Sequence, residues 1–227
     1  HVRSRRQRQM CIRDRQVQTS IWGANIHSPN GTVVRVGVPH VDRTYSVCRK
    51  LFDEAVVRQS IASGSEIMLS TKPISATIGE EYCIVEVDGP SGISDIKCKL
   101  ICGADGAHSW VRRQFRMGKP TETIIGFQIE VTGYQNREGT LDMYTGKSVS
   151  PGFFSWAIPS GETTRIGTWT KPELMDGVSS EEFLKNLMFK SQFRHRFENC
   201  VEIGRYCGPV PSGIVRFPLK ERIALFG

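Results

Sequence analysis

The chain is 227 residues long, 39% hydrophobic and formally +7 at pH 7. That length and apolar content suffice for one sizeable core or two small ones, and no apolar run reaches the ~18 residues a membrane-spanning helix needs. The basic balance is concentrated: Arg3, Arg5, Arg6, Arg8, Arg13 and Arg15 against Asp14 give residues 1–15 a charge of +5, leaving +2 for the rest and no footing for nucleic-acid binding.

Residues 1–15 fit no globular element. Met10-Cys11-Ile12-Arg13-Asp14-Arg15 resembles a translated sequencing-library adapter, so this stretch is expected to be a non-native basic leader. A basic arm for membrane phosphates and a targeting peptide are the competing readings, and the latter lacks the apolar core it needs.

Further along, alternation and β-branched content predict strands over 32–38, 66–70, 74–87, 97–103, 123–131, 140–144, 153–159, 164–169 and 201–206. Helices are expected over 49–63 and 179–193. In the first, Leu51, Phe52, Ala55, Val56, Gln59 and Ile61 suit an amphipathic face, with Gly64 as a stop. The second opens on Ser179-Ser180-Glu181-Glu182, a cap followed by acids at the positive end of the helix dipole. Met117-Gly118-Lys119-Pro120 marks a loose boundary. Seven cysteines include no C-x-x-C pair and the five histidines are scattered, so no metal site is expected. Cys98 and Cys102 are expected on one strand face, too far apart to bridge, as reduced thiols of a cytoplasmic protein.

Three stretches carry chemistry. Arg49-Lys50-Leu51-Phe52-Asp53 opens the first helix. Lys97 to Gly106 reads as a strand running into a Gly-rich turn, with Ser109-Trp110-Val111-Arg112-Arg113 starting a short helix; open backbone N–H groups and the two arginines there suit a phosphate, although an Asp-Gly turn is also common in its own right. Pro151 to Pro159, followed by Gly167-Thr168-Trp169, reads as two strands joined at Ser160-Gly161-Glu162. Alternation places Phe154, Trp156 and Ile158 on one face, which suits either the wall of an apolar substrate channel or an ordinary core.

Together, from about Ile21 to Gly227, these stretches resemble the geranylgeranyl reductase family of FAD-dependent oxidoreductases, within the p-hydroxybenzoate hydroxylase-like flavoproteins. Arg49, Phe52 and Asp53 match an Arg-x-x-Phe-Asp segment beside the cofactor. Gly103 to Gly106 with Ser109, Val111 and Arg112 match the group's second nucleotide-contacting motif. Phe154, Trp156, Pro159 and Gly167 match the aromatic-x-Trp-x-aromatic-Pro signature of the substrate cavity and its downstream glycine. Phe154 stands for the more usual Tyr, Ile158 for an aromatic residue and Trp169 for a second Gly, which bears on cavity shape.

The resemblance implies an α+β fold: an α/β FAD-binding remnant at 16–118, an antiparallel β-sheet substrate domain at 119–214 and a return strand at 215–227. Arg49, Pro73, Asp105 and Gly106 would contact FAD, Pro73 by spacing from Arg49 and through its carbonyl alone, since proline lacks an N–H. Phe154, Trp156, Pro159 and Gly167 would line the site for an isoprenoid lipid. Neither a Gly-x-Gly-x-x-Gly turn before Ile21 nor a Gly-Asp after Phe226 is present, so a fragment is expected, inactive alone, with no catalytic residue assigned. The expected parent reduces isoprenoid double bonds with electrons from NAD(P)H or ferredoxin. It is cytoplasmic or peripheral to a membrane and has no nucleic-acid partner. A flavin monooxygenase or halogenase of the same group is the alternative within enzymes, and a lipid- or protein-binding module without cofactor is the alternative outside them.

Overall fold

The computed structural model describes residues 16–226, so the expected leader at 1–15 lies outside the described residues. In chain order the elements are β1 (Val17–Ile21), β2 (Gly23–His27), β3 (Val33–Gly37), β4 (Thr44–Val47), α1 (Arg49–Ala62), β5 (Lys72–Ile78), β6 (Cys83–Gly89), β7 (Gly92–Cys98), β8 (Ile101–Gly103), α2 (Trp110–Gln114), β9 (Thr123–Thr132), β10 (Thr140–Tyr144), β11 (Ser155–Ser160), β12 (Thr163–Thr170), α3 (Ser180–Lys185), β13 (Val201–Pro211), β14 (Leu219–Lys220) and β15 (Ile223–Leu225). They form two compact units, residues 16–62 with 125–208 and residues 63–124 with 209–226.

The first unit is organised on a seven-stranded sheet in the order β13-β9-β12-β11-β10-β2-β3, and β1 pairs with β4 beside it. The sheet pairs given by register are antiparallel except β2 with β10, which run parallel. The β11–β12 hairpin turns at Gly161, as the sequence predicts, in the left-handed conformation at φ +64°. One face of the sheet is sealed. Phe127, Ile129, Val131, Ala157 and Ile166 point into a core with Leu184, Leu187, Met188 and Phe197 from the segment after α3. Each fully buried Leu or Ile there contributes about 1.5–3 kcal/mol.

A buried carboxylate holds the β2–β10 seam against that layer. Asp142, fully buried, accepts hydrogen bonds from His27 Nε2 (2.7 Å), Asn25 Nδ2 (3.2 Å), the Tyr134 hydroxyl (2.9 Å) and Arg196 Nη2 (2.7 Å). His27 stacks on Tyr144 at 4.6 Å, and the Tyr134 and Tyr144 hydroxyls bond each other at 2.6 Å. Burial, then the neighbouring Asp142, pushes the Tyr144 hydroxyl well above its ordinary value, and burial, then Tyr144 and Asp142, does so for Tyr134. Both phenols therefore remain protonated and able to donate.

In the second unit β5, β6 and β7 form one three-stranded sheet, and β14, β15 and β8 another, with β8 and β15 parallel. Its core gathers Cys83, Ile101, Val111, Phe115, Met117 and Ile223. Among the described residues no helix is long and apolar enough to cross a membrane, and no group of three or more His, Cys, Asp or Glu gathers as a metal site.

The division between units differs from the expected 16–118, 119–214 and 215–227, because β2 and β3 belong to the large sheet: β2 finds its partner β10 over a hundred residues downstream. The α+β reading describes a chain that is mostly sheet, and the sheet expected to be antiparallel has one parallel seam. Residues 66–70 form no strand, since no neighbour pairs with them, and Ser70 takes φ +53°. The single strand expected over 74–87 is a hairpin: Gly79 N–H donates to Tyr82 O at 2.9 Å and closes a turn that the alternation on either side masks. The strand expected over 97–103 breaks at Lys99-Leu100, so Cys98 and Cys102 lie in different sheets and not on one strand face. The helix expected over 179–193 is capped as predicted, Ser179 Oγ accepting from Glu182 N–H, but widens into a π-helical turn over Asn186–Lys190. Helix α1 buries no residue fully, and Leu51, Val56 and Ile61 of its apolar face are exposed.

Replacing Asp142 by Ala strands Arg196 without its counter-charge and His27 without its hydrogen-bond partner. Denaturant melting is expected to show a loss of about 3–5 kcal/mol, and a loss below about 1 kcal/mol would show that the network contributes little.

Candidate functional site

The face of the large sheet opposite the helical layer carries an apolar stripe. Register places Gly167, Trp156, Met143, Ile26 and Val34 side by side on successive strands from β12 to β3. A second row, two residues along each strand, holds Ile158, Leu141, Ala24 and Val36. From Trp156 to Val34 is three strand spacings, ~14 Å.

At one end the stripe is aromatic. Trp156 lies across Gly167 so closely that a Cβ there would collide with the indole. Trp169 lies over Gly126 in the same way, with 3.0 Å between an added Cβ and the ring. Phe153 meets Trp169 at 5.2 Å and Phe154 at 4.8 Å, and the two indoles meet edge to face at 5.3 Å. Trp156 Nε1 donates to Gln128 Oε1 at 3.3 Å, a polar group at the margin of the stripe. At the other end a groove of about 500 Å³ opens between Trp22, Ala24, Val36, Val38 and Leu141, with Arg43 in its wall.

Of the expected substrate residues, Phe154, Trp156 and Gly167 come together here. Pro159 alternates onto the opposite face of β11, where it is buried beside the helical layer. Phe153, Trp169, Met143 and Leu141 join the site through cross-strand register, a relation that no local pattern carries.

In the second unit, β8 runs through Asp105-Gly106 into α2. Gly106 takes φ +74°, which a residue with a side chain rarely adopts. Asp105 Oδ2 accepts from Trp110 N–H (2.6 Å) and Val111 N–H (3.2 Å), and Ser109 Oγ accepts from Arg112 N–H (2.9 Å). The backbone donors expected to be open for a phosphate are thus already taken by the chain's own side chains. Arg113 donates to His108 O, while Arg112 borders a groove of about 340 Å³ with Gly103, Asp105, Gly106, Pro218 and Phe226. Burial alone raises the Asp105 carboxyl, but the hydrogen bonds from Ser109 and from the backbone at Val111 and Trp110 outweigh it and hold the group below its ordinary range.

Asp105 and Gly106 therefore share one groove. Pro73 stands on β5 opposite Val87, exposed and outside that lining, and Arg49 opens α1 in the first unit, ion-paired with Asp53 at 3.0 Å.

Gly167→Ala is expected to push the Trp156 indole off the sheet at a cost of about 1–3 kcal/mol, measured as a lost near-UV tryptophan dichroism with a lower unfolding midpoint. Because the folded Asp105 carboxyl lies below its unfolded value of ~3.9, its stabilisation is complete above that value and is lost as pH falls through the folded one. Urea midpoints followed from roughly pH 5 to pH 2 should fall less steeply in Asp105→Asn than in the parent.

No protein-family model matches the chain. It is 27% identical over 185 residues to the digeranylgeranylglycerophospholipid reductase of Methanocaldococcus jannaschii, covering 78% of this chain and 46% of that protein. The chain spans about half the length of the curated relatives it matches. Among solved structures it resembles a geranylgeranyl bacteriochlorophyll reductase-like protein from Thermoplasma acidophilum, with TM-score 0.82, 16% identity, and 94% of this chain and 56% of that one covered. It also resembles the flavin-dependent brominase Bmp2, with TM-score 0.74, 16% identity, and coverage of 93% and 55%. These likenesses establish the fold: the chain carries about half of a flavoprotein fold that reductases and halogenases share.

Proposed function

We propose that the chain is part of an FAD-dependent oxidoreductase that reduces carbon–carbon double bonds of a geranylgeranyl or related isoprenoid lipid. The observation that carries this reading is the apolar stripe, a band of rings and branched side chains on a sheet face whose reverse side is sealed by its own helices. A long, branched, unsaturated hydrocarbon has no hydrogen bonds to offer, and such a surface asks for none. Gln128 and Arg43 supply polar contacts at the two ends.

The second-unit groove suits the polar part of FAD: Arg112 offers a cation, and Gly106, with open space where a Cβ would stand, lets a ligand approach the backbone. Asp105 holds that loop in shape by capping α2, and by resemblance Arg49 and Pro73 belong to the same cofactor. Bound there, FAD would supply the electrons and hydride for alkene reduction. The protein's own part is to bind the chain, orient it and exclude water. NAD(P)H and ferredoxin both remain in this proposal as donors, and a lipid substrate brings the protein to a membrane surface.

Sequence relatives favour the reductase over the halogenase, since the curated reductases match in sequence whereas the brominase matches in fold at 16% identity. The test is to purify the full gene product that contains this chain. Oxidised flavin absorbance is expected, together with anaerobic saturation of a geranylgeranyl lipid by mass spectrometry. Trp156→Ala should lower kcat/KM about 10- to 100-fold, roughly 1.4–2.8 kcal/mol of transition-state binding. Substrate-dependent oxygen consumption would instead indicate a monooxygenase or halogenase, and a colourless, folded, lipid-binding product a module without cofactor.

A further inference from the structure

The second unit contains two thiols set directly opposite each other across a hairpin. Cys83 opens β6 and Cys98 closes β7, and the two are register partners across the antiparallel hairpin. Directly opposed residues of such a pair have Cα atoms about 4.5–5.5 Å apart, within the 4.4–6.8 Å typical of disulfides. Both side chains enter the same cluster: Cys83 is fully buried beside Ile101 and Val111, and Cys98, partly buried, packs against that group. They therefore point to the same side of the sheet. Cys102, exposed on β8, is the third thiol nearby.

We propose that Cys83 and Cys98 form a reversible disulfide that staples β6 to β7, with a low-molecular-weight disulfide such as oxidised glutathione as the oxidant. The Cys98 thiolate, the more accessible of the two, attacks one sulfur of the small disulfide and expels a thiolate. The Cys83 thiolate then attacks Cys98 Sγ and expels the second. The two cysteines give up two electrons and two protons, and the small disulfide takes them up and leaves as two thiols. Burial, then the nearby Cys83 and Cys102, pushes the Cys98 thiol above its ordinary value. Few thiolates are present at neutral pH, so the reaction should quicken as pH rises into the alkaline range.

The staple lies next to the groove. Cys98 is followed after two residues by β8, which leads directly into the Gly103–Gly106 loop. Closing the hairpin at Cys98 fixes the strand end from which that loop departs.

The 227-residue chain, oxidised with excess glutathione disulfide and digested without reduction, is expected to yield a peptide joining Cys83 to Cys98, lighter by two hydrogen atoms than its reduced parts. Dithiothreitol should reverse it. The oxidised chain should melt roughly 5–10 °C higher. Cys98→Ser should abolish the linkage, whereas Cys102→Ser should leave it intact. Peptide mapping of the unsubstituted chain decides the matter even if a variant fails to fold. A Cys98–Cys102 linkage, a stable mixed disulfide at Cys98 or an unchanged thiol count would each overturn the proposal.

Discussion

The first unit depends on a carboxylate taken out of water. Asp142 has no exposure, and an isolated buried charge of that kind would cost several kcal/mol or more. It is tolerable because four donors from separated parts of the chain converge on it: Asn25 and His27 from β2, Tyr134 from the loop after β9, and Arg196 from beyond α3. The same convergence selects the topology. A parallel β2–β10 seam has no short connection to enforce it, so the polar network supplies what a hairpin turn supplies elsewhere. It also fixes the helical segment against one face of the sheet, while the opposite face carries the apolar stripe, with Trp156 itself buried.

That division of labour explains the side-chain chemistry of the two faces. The sealed face mixes large apolar residues with polar ones hydrogen-bonded around Asp142, His27 Nδ1 being left without a partner. The opposite face is apolar across β11, β10, β2 and β3, while Arg165 and Glu130 stand beside Ile158 on β12 and β9. Its two tryptophans are seated on glycines of the neighbouring strands, a fit in which each indole occupies the space a Cβ would need. Rings held that way are rigid and lose little entropy when a ligand packs against them.

Much of this was legible locally and some of it was not. The β11–β12 hairpin, its turn at Gly161, the Ser179 cap and the extent of α1 follow from short-range patterns of alternation, capping and glycine. The pairing of β2 with β10 and the bonds from Asn25 and His27 to Asp142 join residues more than a hundred positions apart, and nothing in either segment announces the other. The same holds for Cys83 and Cys98: spacing along the chain drew attention to Cys98 and Cys102, whereas the hairpin sets Cys98 opposite Cys83. Pro159 matches a cavity signature by sequence, yet period-two alternation turns it away from Trp156. Local chemistry also misled at α2, where an apparently open helix start is capped by Asp105 and Ser109.

Magnitudes indicate how the two kinds of surface divide recognition. At ~0.8 kcal/mol per buried methylene, a hydrocarbon lying along a stripe ~14 Å wide gains ample affinity, but that gain is nearly the same if the chain slides by one unit. An apolar surface thus binds strongly and positions poorly, whereas the proposed reduction of a chosen double bond would require position. Groups that resist sliding must be polar or sharply shaped. The stripe has both kinds at its ends: the Trp156–Gln128 hydrogen bond and the two-indole corner on one side, and the Arg43-bordered groove on the other. Under the proposed function, register along a lipid would therefore be decided at the ends of the stripe, while its centre would contribute affinity.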